Sequence, residues 1–153
     1  MLVPTSIPED HDFLEPDEYE SWNALLALTR NVLADLDVTM RAEHQLGVTE
    51  FDVLITLFNA EDRRMVMTEL AARAMLSPAG TTHLVTRLER SGLVRREVDP
   101  DDRRRFYAVL TAKGERGLAE ARPTHNEVLR RTFLAATSPA DRRILRQLGK
   151  RLS

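Results

Sequence analysis

The 153-residue chain contains no cysteine. That absence excludes a disulfide framework, a zinc site built on thiolates, and any sensor that works by thiol oxidation. No stretch approaches the ~18–20 consecutive apolar residues of a membrane span. The opening, MLVPTSIPEDHDFLEP, lacks a basic start followed by a long apolar run, so neither a secretory nor a transit peptide is expected and the chain is read as cytoplasmic. Also missing are a nucleophile paired with a base, a carboxylate pair set for acid–base work, and a phosphate loop, so neither enzymatic activity nor a cofactor is expected. His11, His44, His83 and His125 stand far apart and fit no HExxH-like spacing, so no metal site is expected; a distant pairing such as His44 with His125 stays open. There is no internal repeat and no low-complexity tract.

What is present is an ordinary soluble composition, 42% hydrophobic and 30% charged. The formal net charge of −2 conceals a division along the chain: residues 1–60 hold 12 acidic groups against 2 basic ones, and residues 61–153 hold 20 basic against 12 acidic. A basic segment can bind phosphate when the acidic part lies elsewhere, because salt screens exposed charges beyond about 10 Å. On charge alone a solvated Arg-rich surface is the favoured account, so pattern must decide.

Residues 1–15, with Pro4 and Pro8 among acidic residues, read as a flexible extension. Pro16 suits the first turn of a long helix whose apolar stripe runs through Leu25, Leu26, Leu28, Val32, Leu33, Leu36 and Met40, with Gly47 expected to close it. A second helix is expected from a Thr49 cap, burying Phe51, Leu54, Ile55 and Phe58. After a short apolar piece, Met65 to Met67, Thr68 is expected to cap a third helix containing Leu70, Ala71 and Ala74. Ser77-Pro78 starts a fourth, closed by Gly92 in the left-handed conformation. The period then changes to two: LVRREV and RFYAVL flank the turn-rich DPDDRR and predict a β-hairpin. Thr111 caps a fifth helix that Pro123 is expected to kink or interrupt, and Ser138-Pro139 opens a last helix with Ile144, Leu145, Leu148 and Leu152.

Helical projection of the fourth helix puts Thr81, Leu84, Val85 and Leu88 on one side and Ala79, Thr82, His83, Thr86 and Arg90 on the other. The second face offers groups that can hydrogen-bond base edges and phosphates, and small methyls that can meet thymine. The hairpin tip sets Arg103, Arg104 and Arg105 beside Asp99, Asp101 and Asp102. A two-stranded wing can put one such arginine into the narrow minor groove while an aspartate orients it. Local surface ion pairs are the blander account of the tip; a helix-turn-helix running straight into an arginine-tipped hairpin is rarer than either part alone.

The segment TELAARAMLSPAGTTHLVTRLERSGLVRREVDPDDRRRFYAVLTAKG resembles the core of the MarR (multiple antibiotic resistance regulator) family, in which a helix-turn-helix leads through G-L-V-x-R to a wing ending D-x-R…L-T-x-x-G. The likeness covers Thr68 to Gly114 closely. It implies a mainly α fold, a winged helix-turn-helix with a small antiparallel β wing and long N- and C-terminal dimerisation helices. The organisation expected is a single domain over 16–153, with the core at about 49–111 and dimerisation helices at 16–46 and 112–152. The function implied is a sequence-specific regulator of transcription, a ligand-responsive repressor acting as a homodimer on near-palindromic double-stranded operator DNA. A winged-helix protein-interaction module without a DNA target is the alternative. Candidate DNA contacts are Pro78, Ala79, Thr82, His83 and Thr86 toward bases, Arg87 and Arg90 toward phosphate, Ser77 at the helix start, and Asp102, Arg103, Arg104 and Arg105 on the wing. By the resemblance, Asp102 and Arg104 are the wing's aspartate and minor-groove arginine. Many members carry threonine-arginine where this chain has Thr82-His83, and a neutral imidazole cannot fork onto guanine as arginine does. Leu25, Val32, Leu129, Phe133, Leu145, Leu148 and Leu152 are candidates for the dimer interface. A small aromatic anionic effector is implied, with Trp22, Asp52 and Arg95 or Arg96 as pocket candidates.

Overall fold

The computed structural model describes residues 14–152; the proposed extension and His11 lie outside them, apart from Leu14 and Glu15. The described chain divides between Asn31 and Val32 into two compact units. Helix α1 spans Pro16–His44, with Asp17 and Glu18 in its first turn and Arg41 and His44 in its last, each sign placed where the helix dipole favours it.

Gly47 does not close α1. The helix ends at His44, and Gln45 takes the left-handed conformation at φ 57°. Gly47 instead precedes α2 (Val48–Asn59) as its extended N-cap, and Thr49 lies inside the helix. The first turn is satisfied by acids: the Glu50 carboxylate accepts the Gly47 N–H at 2.6 Å, and Asp37 accepts the Val48 N–H at 3.0 Å. These fill the role expected of a threonine hydroxyl.

The piece around Met65 is a strand, β1 (Arg64–Val66), and it makes the sheet three-stranded where sequence pattern indicated a hairpin alone. Three residues are too few for a period to show. Val66 is extended (φ −62°, ψ 137°) and pairs with Tyr107, and the chain turns from it directly into α3 (Met67–Arg73). Thr68 is therefore within α3, and the cap position is Val66 with no side-chain bond. Ala74 is the C-cap of α3.

Helix α4 (Pro78–Arg90) begins as the Ser-Pro pair predicts, the Gly80 N–H donating to Ser77 Oγ at 3.0 Å. It ends on Gly92 at φ 74°, the Gly92 N–H reaching the Glu89 carbonyl and the Leu93 N–H that of Leu88. This paired closure satisfies carbonyls the helix would otherwise leave open. Strands β2 (Val94–Val98) and β3 (Phe106–Leu110) form the wing, and β3 is central, with both β1 and β2 antiparallel to it.

Thr111 caps α5 (Ala112–Leu129), accepting the Gly114 N–H at 3.0 Å. The helix is not interrupted at Pro123; a change of geometry comes later, in a π-helical segment Arg130–Leu134. Pro123 is exposed, and lacking an N–H it forgoes one backbone bond. Helix α6 (Pro139–Leu152) opens with Ser138 and Asp141 bonded reciprocally and contains no buried residue.

The core of the larger unit gathers Phe51, Leu54, Leu57, Leu70, Leu88 and Leu118, all essentially inaccessible. It fixes α2, α4 and α5 around one face of the sheet and leaves the outer face of α4 and the wing tip to solvent. Among the described residues, no helix is long and apolar enough to cross a membrane.

Candidate nucleic-acid interface

The inner face of α4 is set by burial. Thr81, Leu84, Val85 and Leu88 are all buried, and this fixes the rotation of the helix about its axis. Consequently Ser77, Pro78, Ala79, Thr82, His83, Arg87 and Arg90 are exposed and Thr86 is half-buried. Every α4 residue expected to face DNA lies off the core side, and a single stripe of apolar side chains enforces it.

At the wing tip two aspartates sort the arginines. Asp102 accepts both the backbone N–H of Arg104 at 3.0 Å and its guanidinium Nε at 3.3 Å, while the Arg104 side chain remains 92% exposed. Arg105 turns back to Asp99 at 3.5 Å. Asp99 is buried and accepts the Asp101 N–H at 2.9 Å. That backbone bond, followed by the charge of Arg105, the Asp102 N–H and the Tyr107 hydroxyl, holds its carboxyl below the usual carboxylate range against the opposing effect of burial. Arg103 is exposed and makes no ion pair with any described residue.

Helix and wing are tied together by Arg96. Its guanidinium donates to the Thr82 carbonyl at 3.0 Å and to Thr86 Oγ1 at 2.5 Å, and it pairs with Glu89 at 3.5 Å. Glu89 also accepts the Arg96 backbone N–H at 3.1 Å. Between the helix and the wing opens a cleft of about 560 Å³ lined by Val66, Met67, Thr68, Thr82, Arg96, Arg104, Arg105 and Phe106. On the other flank of α4, Arg87 reaches Glu50 at 3.1 Å. Glu50 is only 7% exposed and lies 3.7 Å from Arg41, which in turn bonds Asp37 at 2.7 Å. The Arg41 bond, helped by the Val48 N–H, lowers the pKa of Asp37 against the effect of burial.

An exposed polar helix face beside a sheet tip that presents one oriented guanidinium is a geometry suited to duplex DNA, and comparison with known proteins agrees with it. The MarR family model matches residues 46–106, from just before α2 to the start of β3. The transcriptional regulator HosA of Escherichia coli O111:H- is 32% identical over 115 residues, spanning 74% of this chain and 84% of HosA. The chain belongs to the MarR family. The uncharacterized HTH-type transcriptional regulator YkoM of Bacillus subtilis (strain 168) is 35% identical over 91 residues, which are 60% of this chain but only 58% of YkoM. Sco3205, a MarR family transcriptional regulator from Streptomyces coelicolor solved in complex with DNA, is 27% identical and matches with a TM-score of 0.87 over 93% of this chain and 89% of its own.

Of the residues expected to contribute to an effector pocket, Trp22 belongs to the smaller unit and Asp52, Arg95 and Arg96 to the larger. Trp22 is about half exposed in the first part of α1. Asp52 is exposed on α2, where close packing about its carboxyl raises its pKa and His125 opposes the shift. Arg95 pairs with Glu97 on its own strand at 2.5 Å, and Arg96 faces α4. Nor do the two histidines raised as a distant pair bond each other: His44 Nε2 meets Thr124 Oγ1 at 2.8 Å, and His125 stacks on Phe51 with ring centroids 4.5 Å apart. Among the described residues no group of three or more His, Asp or Glu side chains is placed to hold a metal ion. Sequence reasoning missed the Asp37–Arg41–Glu50–Arg87 chain and the clamp formed by Arg96. The Gly47-x-x-Glu50 spacing, a helix-start pattern, was the one local signal for the former.

Proposed function

We propose that this chain is a sequence-specific double-stranded DNA-binding regulator of transcription that acts as a homodimer. The observation that carries the reading is the pairing of α4, its polar face outward, with Arg104 held out by Asp102 at the wing tip. The helix fits a major groove, with Thr82, His83 and Thr86 nearest the bases and Arg90 toward phosphate; the wing brings Arg104 to the adjacent minor groove, where a narrow, electronegative channel favours a guanidinium. Arg103 is free to meet phosphate. Arg87 and Arg105 are already paired within the protein, so their share in the contact is the smaller.

Assembly is supported by what the fold leaves uncovered. Leu25 on α1 and Ile144, Leu148 and Leu152 on α6 are exposed, Leu152 at 87%. Val32, Leu129, Phe133 and Leu145 are partly covered. A second copy is the simplest cover for these exposed apolar side chains. Two-fold symmetry then makes the operator a near-palindrome with half-sites about 34–36 Å apart. The signal is a small aromatic anion bound non-covalently, tested by substituting Trp22, Asp52, Arg95 and Arg96 one at a time. Such a ligand releases DNA only as far as it prefers a dimer geometry whose two α4 helices no longer match successive grooves.

Fluorescence anisotropy of a labelled duplex, followed through a salt titration, tests the reading. Binding that falls steeply with salt, as counterion release requires, is the expected result. Weak association that ignores salt would overturn it in favour of a protein-interaction module.

A further inference from the structure

The outer face of α4 divides by what its hydrogen-bonding groups already do. Thr82 donates its hydroxyl proton to the Pro78 carbonyl at 2.9 Å, and Thr86 donates to the Thr82 carbonyl at 2.8 Å. Thr86 Oγ1 also receives Arg96. A hydroxyl has one proton to give. Both threonines therefore present outward a methyl group and leftover lone pairs, but no donor. Thr81 is buried and donates to the Ser77 carbonyl at 3.0 Å. Ser77 Oγ accepts the Gly80 N–H and keeps its own proton, but it is the N-cap and lies before the helix; Pro78 and Ala79 have no polar side-chain atom. Within the helix, that leaves His83. It is exposed on the side away from Leu84 and Leu88 and bonds no described residue. Over Pro78–Thr86, the part of the helix that enters a groove first, it alone offers a free side-chain N–H.

Resting on the DNA-binding reading above, we propose that His83 selects the base in each half-site, and that it selects a purine. An imidazole keeps at least one N–H donor in either tautomer and when protonated. In the major groove guanine and adenine share the N7 acceptor, whereas cytosine presents an amino donor and thymine a methyl beside O4. One donor on a ring edge takes N7 of either purine. It cannot take O6 and N7 of guanine together, as a forked guanidinium does. Cytosine gives that donor no acceptor and thymine offers O4 only beside its crowding C5 methyl, so the contact favours a purine without separating guanine from adenine. The methyl groups of Ala79, Thr82 and Thr86 are suited to thymine methyls at neighbouring positions.

Selection from a random-sequence duplex library with the full chain and its variants tests this. The wild-type protein should enrich a purine at one position of each half-site. H83A should level that position, and H83R should narrow it to guanine by about tenfold or more over adenine, the discrimination of a bidentate pair. A purine preference that survives H83A overturns the assignment. A wild-type protein that enriches no sequence and binds without regard to salt overturns the DNA-binding reading itself; enriched half-sites with no purine position overturn only the role of His83.

Discussion

Asp99 and Asp102 give neighbouring arginines opposite duties. Asp102 grips Arg104 close to its backbone and leaves the guanidinium in solvent, whereas Asp99, itself covered, draws Arg105 inward. Arg104→Ala should therefore weaken DNA binding by about 1–3 kcal/mol with little change in thermal stability; equal affinities in an anisotropy titration would remove the wing from the contact. Asp99 makes the opposite kind of prediction. Its pKa is lowered in the folded state, so the unfolded chain binds the extra proton and stability rises with pH between the two values. The contribution is complete above the unfolded value of about 3.9 and is lost as pH falls through the folded one. Melting of wild type and Asp99→Asn should differ by a constant amount above about pH 5, and the gap should close on further acidification. A gap that instead widened in acid would contradict the assignment.

Close approaches between elements separate two glycines that look alike in sequence. A Cβ on Gly114, in the first turn of α5, would lie 2.1 Å from the backbone oxygen of Leu93, where the wing begins. A Cβ on Gly47 would meet the Arg41 guanidinium and Asp37 Oδ1, the far ends of side chains rather than backbone. Backbone cannot yield as a side chain can, so Gly114→Ala should lower the free energy of unfolding far more than Gly47→Ala, by several kcal/mol against roughly 1; comparable midpoints in urea would refute the steric account. The same contrast between local and distant partners explains what was legible beforehand. Ser77, Thr111 and Ser138 could be read as caps because donor and acceptor lie three residues apart. The outward face of α4 was legible for the same reason, whereas the pair Asp102–Arg104 was legible through the resemblance to the MarR core. Thr49 and Thr68 misled because α2 starts on acidic groups, one of them on α1, and α3 starts from a strand whose partner is Tyr107. No window of sequence contains the joining of Arg96 to Thr86 or of Arg87 to Glu50. The wing's third strand was illegible too, since its pairing rather than its pattern makes it one.

Across the whole molecule, α6 has a wet side and an apolar side but no buried residue, which is an unstable arrangement for a lone chain. Leu148→Asp should convert a dimer into monomers by sedimentation equilibrium and abolish tight DNA binding along with it. A dimer that persisted would move the interface elsewhere. The three-stranded sheet has a consequence of another kind. Val109 of β3 faces Arg64 of β1 on one side and Arg95 of β2 on the other. The helix-turn-helix thus leaves the sheet by one neighbour of β3 and returns by the other, like a loop of thread fastened to a single button. Neither α3 nor α4 can peel away while both seams hold. Amide protons along β3 and in the interior of α4 should therefore exchange with solvent together, through one cooperative opening rather than by independent fraying. A regulator built this way presents its reading head either whole or not at all.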